Sequence, residues 1–201
     1  MTGYKVVNLK LMVEELGEER TKELLSSFSC PLNEDVENFF TQKAVEFSKR
    51  SLSQTHIVYA SYRGKAEIAG YFTLANKYIT VKKNRLSGSL AKRIAKFAVY
   101  DPTIRSYTLS APLIAQLGKN YTNGLNCLMT GDELLKLACD KVSKIQLELG
   151  GRVTYVECED KPKLIEFYSS NGFCEFDRRT LDRDETGLAG EYLVQMLKYI
   201  H

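Results

Sequence analysis

No apolar run in the 201 residues approaches the roughly 20 that a membrane-spanning helix needs, and the opening Met1-Thr2-Gly3-Tyr4-Lys5 lacks the apolar core of a signal peptide. A cytoplasmic protein with no membrane contact is the simplest expectation. Histidine is nearly absent. With His56 and His201 alone, a cysteine/histidine zinc site has little to draw on, and no metal is expected. His56 opens a β-rich run with no acid or cysteine beside it, which favours a structural role. The cysteines Cys30, Cys127, Cys139, Cys158 and Cys174 are odd in number and none stands in a C-x-x-C pair, so they are expected to be reduced. A net charge of +3 is too small to imply a polyanionic partner by itself. With 44% hydrophobic residues the chain can bury a proper core, and one domain is the default.

The residues that are present divide into readable segments. Tyr4 to Leu9 alternates as a strand, and Gly17 to Phe28 reads as a helix with Leu24, Leu25 and Phe28 on one side. Cys30-Pro31-Leu32-Asn33 makes a turn in which Asn33 stands as the N-cap of a helix carrying Val36, Phe39, Phe40, Ala44 and Phe47 at the spacing of a buried stripe. Thr55 to Tyr62 and Ile68 to Leu74 are β-rich runs on either side of Arg63-Gly64-Lys65 and predict an antiparallel hairpin. From about residue 80 to 105 the chain turns basic: Lys82, Lys83, Arg85, Lys92, Arg93, Lys96 and Arg105 are accompanied by a single acid, Asp101. Ser89 to Val99 fits a helix with Leu90, Ile94, Phe97 and Ala98 inward, its lysines forming either a solvated face or a patch for an anionic substrate.

The stretch from Leu109 to Phe173 organises the rest. A strand over Leu109 to Gly118 feeds a polar loop, Lys119 to Gly131, and then a helix from Asp132 to Leu149. Unpaired N–H groups and the positive end of the helix dipole meet at such a junction, which suits phosphate. Thr130-Gly131-Asp132-Glu133 has the form of a capping box. Leu135, Ala138, Val142, Ile145 and Leu149 make the apolar stripe behind it, and Gly150-Gly151 supplies the stop. A second strand, Arg152 to Cys158, and a short helix with Pro162 at its start complete the stretch.

The segment Leu164-Ile165-Glu166-Phe167-Tyr168-Ser169-Ser170-Asn171-Gly172-Phe173 resembles the A-x-x-F-Y-x-x-x-G-F signature of the GCN5-related N-acetyltransferase (GNAT) superfamily. The hairpin ending Gly70-Tyr71-Phe72-Thr73-Leu74 is similar to that family's second and third strands, and Cys30 to Phe40 resembles the F-x-C-G-x-x-x-L-D-x-F-L opening of its toxin-type branch. The family's Q/R-x-x-G-x-G/A loop corresponds to Asn126-Cys127-Leu128-Met129-Thr130-Gly131, which keeps the last glycine. Met129 stands where the first glycine would, so the loop must take another path for its backbone to approach a phosphate.

The resemblance implies an α+β (mixed α/β) fold with a central, mostly antiparallel splayed sheet flanked by helices, over a single domain from 1 to 201 with a basic insert at about 80–105. It implies acetyl transfer from acetyl-CoA to a primary amine by direct attack. Leu117, Gly118, Lys119, Asn120, Asn126, Met129, Thr130, Gly131 and Asp132 would hold the acetyl-CoA, the backbone from Leu117 to Lys119 meeting the pantetheine and the thioester oxygen. Tyr168 matches the family's general acid for the departing thiolate. The strand offers Ser110 and Gln116 but no carboxylate, so no general base is evident. Two alternatives stand beside this reading: a toxin-type enzyme acting on aminoacyl-tRNA, motivated by the basic segment, and a non-catalytic acyl-CoA-binding or interaction module, motivated by Met129 and the missing base. The acceptor is accordingly a small-molecule, protein or aminoacyl-tRNA amine, with RNA and a second copy of the chain open as partners.

Overall fold

The computed structural model describes residues 3–181 and 190–200, so His201 and the Met1-Thr2 start lie outside it. β1 (Lys5–Asn8) ends where the Asn8 side chain accepts the Lys10 and Leu11 N–H groups at 2.9 and 3.3 Å and opens α1 (Leu9–Leu16). The strand expected through Leu9 thus ends one residue sooner, because Asn8 is a strong cap ahead of buried Leu9 and Met12. Gly17, at φ 82°, separates α1 from α2 (Glu18–Leu25), which stops short of the expected Phe28 and leaves Leu24 exposed. Asn33 caps α3 (Glu34–Asn38) as expected, accepting the Val36 N–H at 3.2 Å. One π-helical turn, Phe39–Lys43, then links α3 to α4 (Ala44–Lys49), with Phe39 and Phe40 both buried.

β2 (Gln54–Tyr62) and β3 (Lys65–Lys82) form the expected antiparallel hairpin, Arg63 and Gly64 taking positive φ at its tip. β3 runs well past Leu74, because Ile79 and Val81 point inward while Tyr78, Thr80 and Lys82 point out. The basic stretch holds a shorter helix than expected. α5 (Gly88–Ile94) gives way to β4 (Val99–Asp101), and Phe97 between them is 36% exposed rather than inward. β5 (Ser106–Lys119), α6 (Gly131–Leu149), β6 (Val153–Glu159) and α7 (Pro162–Ser170) follow the expected order, with β7 (Cys174–Thr180) and β8 (Tyr192–Tyr199) after them. The buried stripe of α6 ends on Gln146, whose amide donates to the Val153 carbonyl at 2.8 Å, while Leu149 is 82% exposed.

The fold is mixed α/β, with one mostly antiparallel sheet in the order β1-β2-β3-β5-β6-β8-β7 and β4 paired to β5. β5 and β6 run parallel, and their ladder is confined to Leu113 opposite Tyr155. Beyond it, the half-buried Ala115, Gln116 and Leu117 stand off that ladder.

Two compact units divide the chain. The first, 1–75 with 115–138, has a core of Leu9, Leu25, Phe28, Phe40, Ile57 and Tyr71 among others, in which Phe40 stacks on Tyr71 at 4.2 Å. The second, 76–114 with 139–201, is built on the β6, β8 and β7 ladders, with Tyr155 edge-on to Phe176 at 6.4 Å.

Candidate active site

In the first unit the C-terminal end of β5 is fixed by a defect in its neighbour. Register slips between β2 and β3 at Val58/Tyr59, so Ala69 faces no partner residue on β2. The Ala69 carbonyl accepts the Asn120 N–H at 2.9 Å, and the Ile68 carbonyl accepts the Asn120 amide at 2.9 Å. The Asn120 side-chain oxygen in turn accepts the Ser29 and Thr122 N–H groups at 3.2 and 3.1 Å. With 2% of its surface exposed, Asn120 clamps the strand end. Leu117 and Lys119 on either side of buried Gly118 are half-buried, and the Lys119 ammonium lies 6.0 Å from the Tyr121 ring centre.

The polar loop folds into a short 3-10 segment, Thr122–Leu128, kinked by positive φ at Asn123 and Gly124. Asn126 lies half-buried within it and Leu125 is buried. Met129 follows with extended backbone (φ −154°, ψ 156°) and only 3% exposure, its sulfur 3.3 Å from where a Cβ on Gly70 would stand. The side chain at the family's first glycine position therefore turns into the core. Thr130 and Glu133 form the capping box: Thr130 Oγ1 accepts the Glu133 N–H at 3.1 Å, and the Glu133 carboxylate accepts the Thr130 N–H at 2.7 Å. Those bonds hold the Glu133 carboxyl below its ordinary value, the Thr130 backbone donor contributing most. Gly131 and exposed Asp132 form the first turn, at the positive end of the α6 dipole.

α3 sits directly on β5. A Cβ on Gly118 would collide with Val36 Cγ1 and approach Tyr71 Cε1 to 2.9 Å, so glycine here lets the helix rest on the strand. The Tyr71 hydroxyl donates to the Val36 carbonyl at 2.6 Å, and burial pushes its pKa far up, with Cys30 and Asp35 adding to the shift. The Gln116 amide donates to Asp35 Oδ2 at 3.0 Å. Glu37 is engaged elsewhere, accepting Ser29 Oγ at 3.1 Å and the Cys30 N–H at 2.6 Å. The tie of Asp35 to Gln116 is a long-range pairing, across 81 positions, with no local signal in the sequence.

In the second unit Tyr168 lies in the last turn of α7. Its ring stands edge-on to Phe167 and Phe173 at 5.0 and 5.6 Å, and its carbonyl accepts the Phe173 N–H at 3.0 Å past Gly172, where φ is 83°. Burial raises the phenol above its ordinary value, and Cys158 and Cys139 add to the shift. Burial also pushes the Cys158 thiol up to about 11. None of the five cysteines is in a disulfide. Of the basic residues, Lys82, Lys83, Arg85, Lys92, Lys96 and Arg105 are exposed, whereas Arg93 is half-buried with its guanidinium 3.8 Å from the Tyr199 ring centre. His56 is buried in the first unit, stacked on Phe72 at 5.0 Å.

No protein-family model matches the chain, and no curated protein matches it in sequence. The fold is shared with the solved structures of AtaT and KacT. AtaT complexed with acetyl-methionyl-tRNAfMet superposes with a TM-score of 0.61 at 18% identity, over 96% of this chain and 94% of that one. A tyrosine-to-phenylalanine mutant of KacT gives 0.62 at 13% identity over 98% and 95%, and AtaTR bound with acetyl-CoA gives 0.55 at 17% over 95% and 91%. At these identities the likeness is one of fold.

Proposed function

We propose that the whole chain acts as one acetyltransferase domain, moving the acetyl group of acetyl-CoA onto the amino group of an aminoacyl-tRNA. The observation that carries this reading is the junction from Leu117 to Asp132, where a strand end off its ladder leads into a capped helix start and the intruding Met129 side chain is folded away. The site fits the donor. The backbone of Leu117, Gly118 and Lys119 would hold the pantetheine and stabilise charge on the thioester oxygen. Gly131 and Asp132 would take the pyrophosphate at the α6 N-terminus, with Asn126 and Lys119 flanking it, while Thr130, whose N–H and hydroxyl both go to Glu133, would hold the helix start in place. Tyr168 would donate a proton or a hydrogen bond to the departing thiolate, and its raised pKa keeps the hydroxyl protonated across the neutral range.

The choice of acceptor is supported by AtaT, solved with an acetylated aminoacyl-tRNA, and by the exposed cations between Lys82 and Arg105. Phosphate contacts from such residues supply sequence-independent affinity for RNA. The test is transfer of radiolabelled acetyl from acetyl-CoA to total tRNA, charged against uncharged. Label on the charged pool alone supports the reading. Acetyl-CoA binding with no label on any tRNA or amine would mean a non-catalytic acyl-CoA-binding module.

A further inference from the structure

Acetyl transfer to an amine needs a place for the acceptor's positive charge and a base for the proton that its nitrogen loses, and β5 carries no carboxylate. The structure brings one to the strand from α3. Asp35 Oδ2 accepts the Gln116 amide at 3.0 Å, which leaves Oδ1 for a second donor, and Asp35 is half-buried. Side chains alternate along a strand, so Gln116 faces the same side of β5 as Gly118, the residue on which Val36 of α3 rests. Asp35 is thereby seated over the part of β5 whose backbone, from Leu117 to Lys119, is assigned to the thioester. The neighbouring acids are different: Glu34 is exposed, and Glu37 is occupied by Ser29 and Cys30.

We propose that Asp35, oriented by Gln116, is the subsite for the acceptor's ammonium group and the base that receives its proton. This rests on the acetyltransferase reading above and names the acceptor side of the same site. The nitrogen lone pair forms the new bond to the carbonyl carbon, and the carbon–sulfur bond breaks with its electron pair leaving on sulfur. The Asp35 carboxylate takes the proton released by nitrogen and passes it to solvent. Gln116 acts only through Asp35 and is a positioning residue. The titratable groups around Asp35 are Tyr71 from β3, held neutral by burial, Cys30 near that hydroxyl, and Glu34 and Glu37 on its own helix.

The test uses the full chain with radiolabelled acetyl-CoA and total charged tRNA. Asp35→Asn keeps the shape and the Gln116 contact, so acetyl-CoA affinity by calorimetry and the melting temperature should match the wild type. Its kcat/KM should fall by about 10²-fold or more near pH 6.5, with the loss shrinking near pH 9, because an α-amino group of pKa about 8 is then already neutral. Asp35→Glu should recover part of the rate, and Gln116→Leu should reproduce the pH signature with a smaller loss. An Asp35→Asn protein with wild-type kcat/KM across the pH range overturns the proposal. So does a loss that is equal at every pH and accompanied by weaker acetyl-CoA binding, which marks a structural residue. A wild-type chain that binds no acetyl-CoA, or labels no tRNA, fails at an earlier step and sinks the parent reading instead.

Discussion

The Met129 sulfur lies 3.3 Å from the position a Cβ on Gly70 would occupy, and the Gly118 carbonyl oxygen is closer still, at 2.7 Å. One glycine thus admits both the strand that carries the candidate thioester contacts and the side chain that would otherwise fill the candidate phosphate loop. Gly70→Ala sets a methyl group against a backbone oxygen that cannot swing aside. Overpacking of this kind typically costs 1–3 kcal/mol, so about 2 kcal/mol of stability should be lost in urea unfolding, together with acetyl-CoA affinity. A variant as stable as the wild type would mean that β3 and β5 yield easily there.

The capping box gives a local stability effect. Thr130→Ala should cost about 1 kcal/mol in urea unfolding. The folded-state pKa of Glu133 is depressed, so its contribution is complete above the ordinary carboxylate value and disappears as pH falls through the lowered one. The stability difference between wild type and Glu133→Ala should therefore be constant near neutrality and narrow below about pH 4.5. A difference that persists undiminished in acid would assign the effect to something other than the ionised carboxylate.

Tyr168→Phe keeps the ring between Phe167 and Phe173 and removes only the hydroxyl. Turnover should fall by about 10²- to 10⁴-fold while acetyl-CoA affinity holds, with a stability change of no more than about 1 kcal/mol. An unchanged kcat beside a lowered melting temperature would make Tyr168 a packing residue and leave the thiolate to be protonated by water.

The basic segment separates into two kinds of cation. Lys92 and Lys96 are exposed, so replacing both by alanine should weaken tRNA binding and flatten its dependence on salt without changing stability. Arg93 stacks on Tyr199, so Arg93→Ala should also lower the melting temperature. If the double lysine variant binds tRNA with the wild-type salt slope, those lysines are a solvated face.

These effects were unevenly legible in the sequence, for physical reasons. The Asn33 cap, the Thr130–Glu133 box and the Gly172 turn are local, made within a few residues, and their residue types announce them. Asn8 carried the same kind of signal and was hidden by strand alternation running into it. The clamp by Asn120 depends on a bulge in a strand some fifty positions away, and the Asp35–Gln116 bond joins residues separated by 81. Neither has a pattern in the chain before it folds. The inward turn of Met129 likewise depends on the space left at Gly70, on β3.

The junction from Leu117 to Asp132 is proposed as an acetyl-CoA site. Calorimetric titration of the chain with acetyl-CoA, paired with thermal unfolding, tests it most directly. A ligand confined to the folded state adds about 2.7 kcal/mol at a hundredfold excess over its dissociation constant, so a single binding event and a clear rise in melting temperature are expected. No heat and no thermal shift at millimolar acetyl-CoA would contradict the claim, for the enzyme and for a non-catalytic binding module alike.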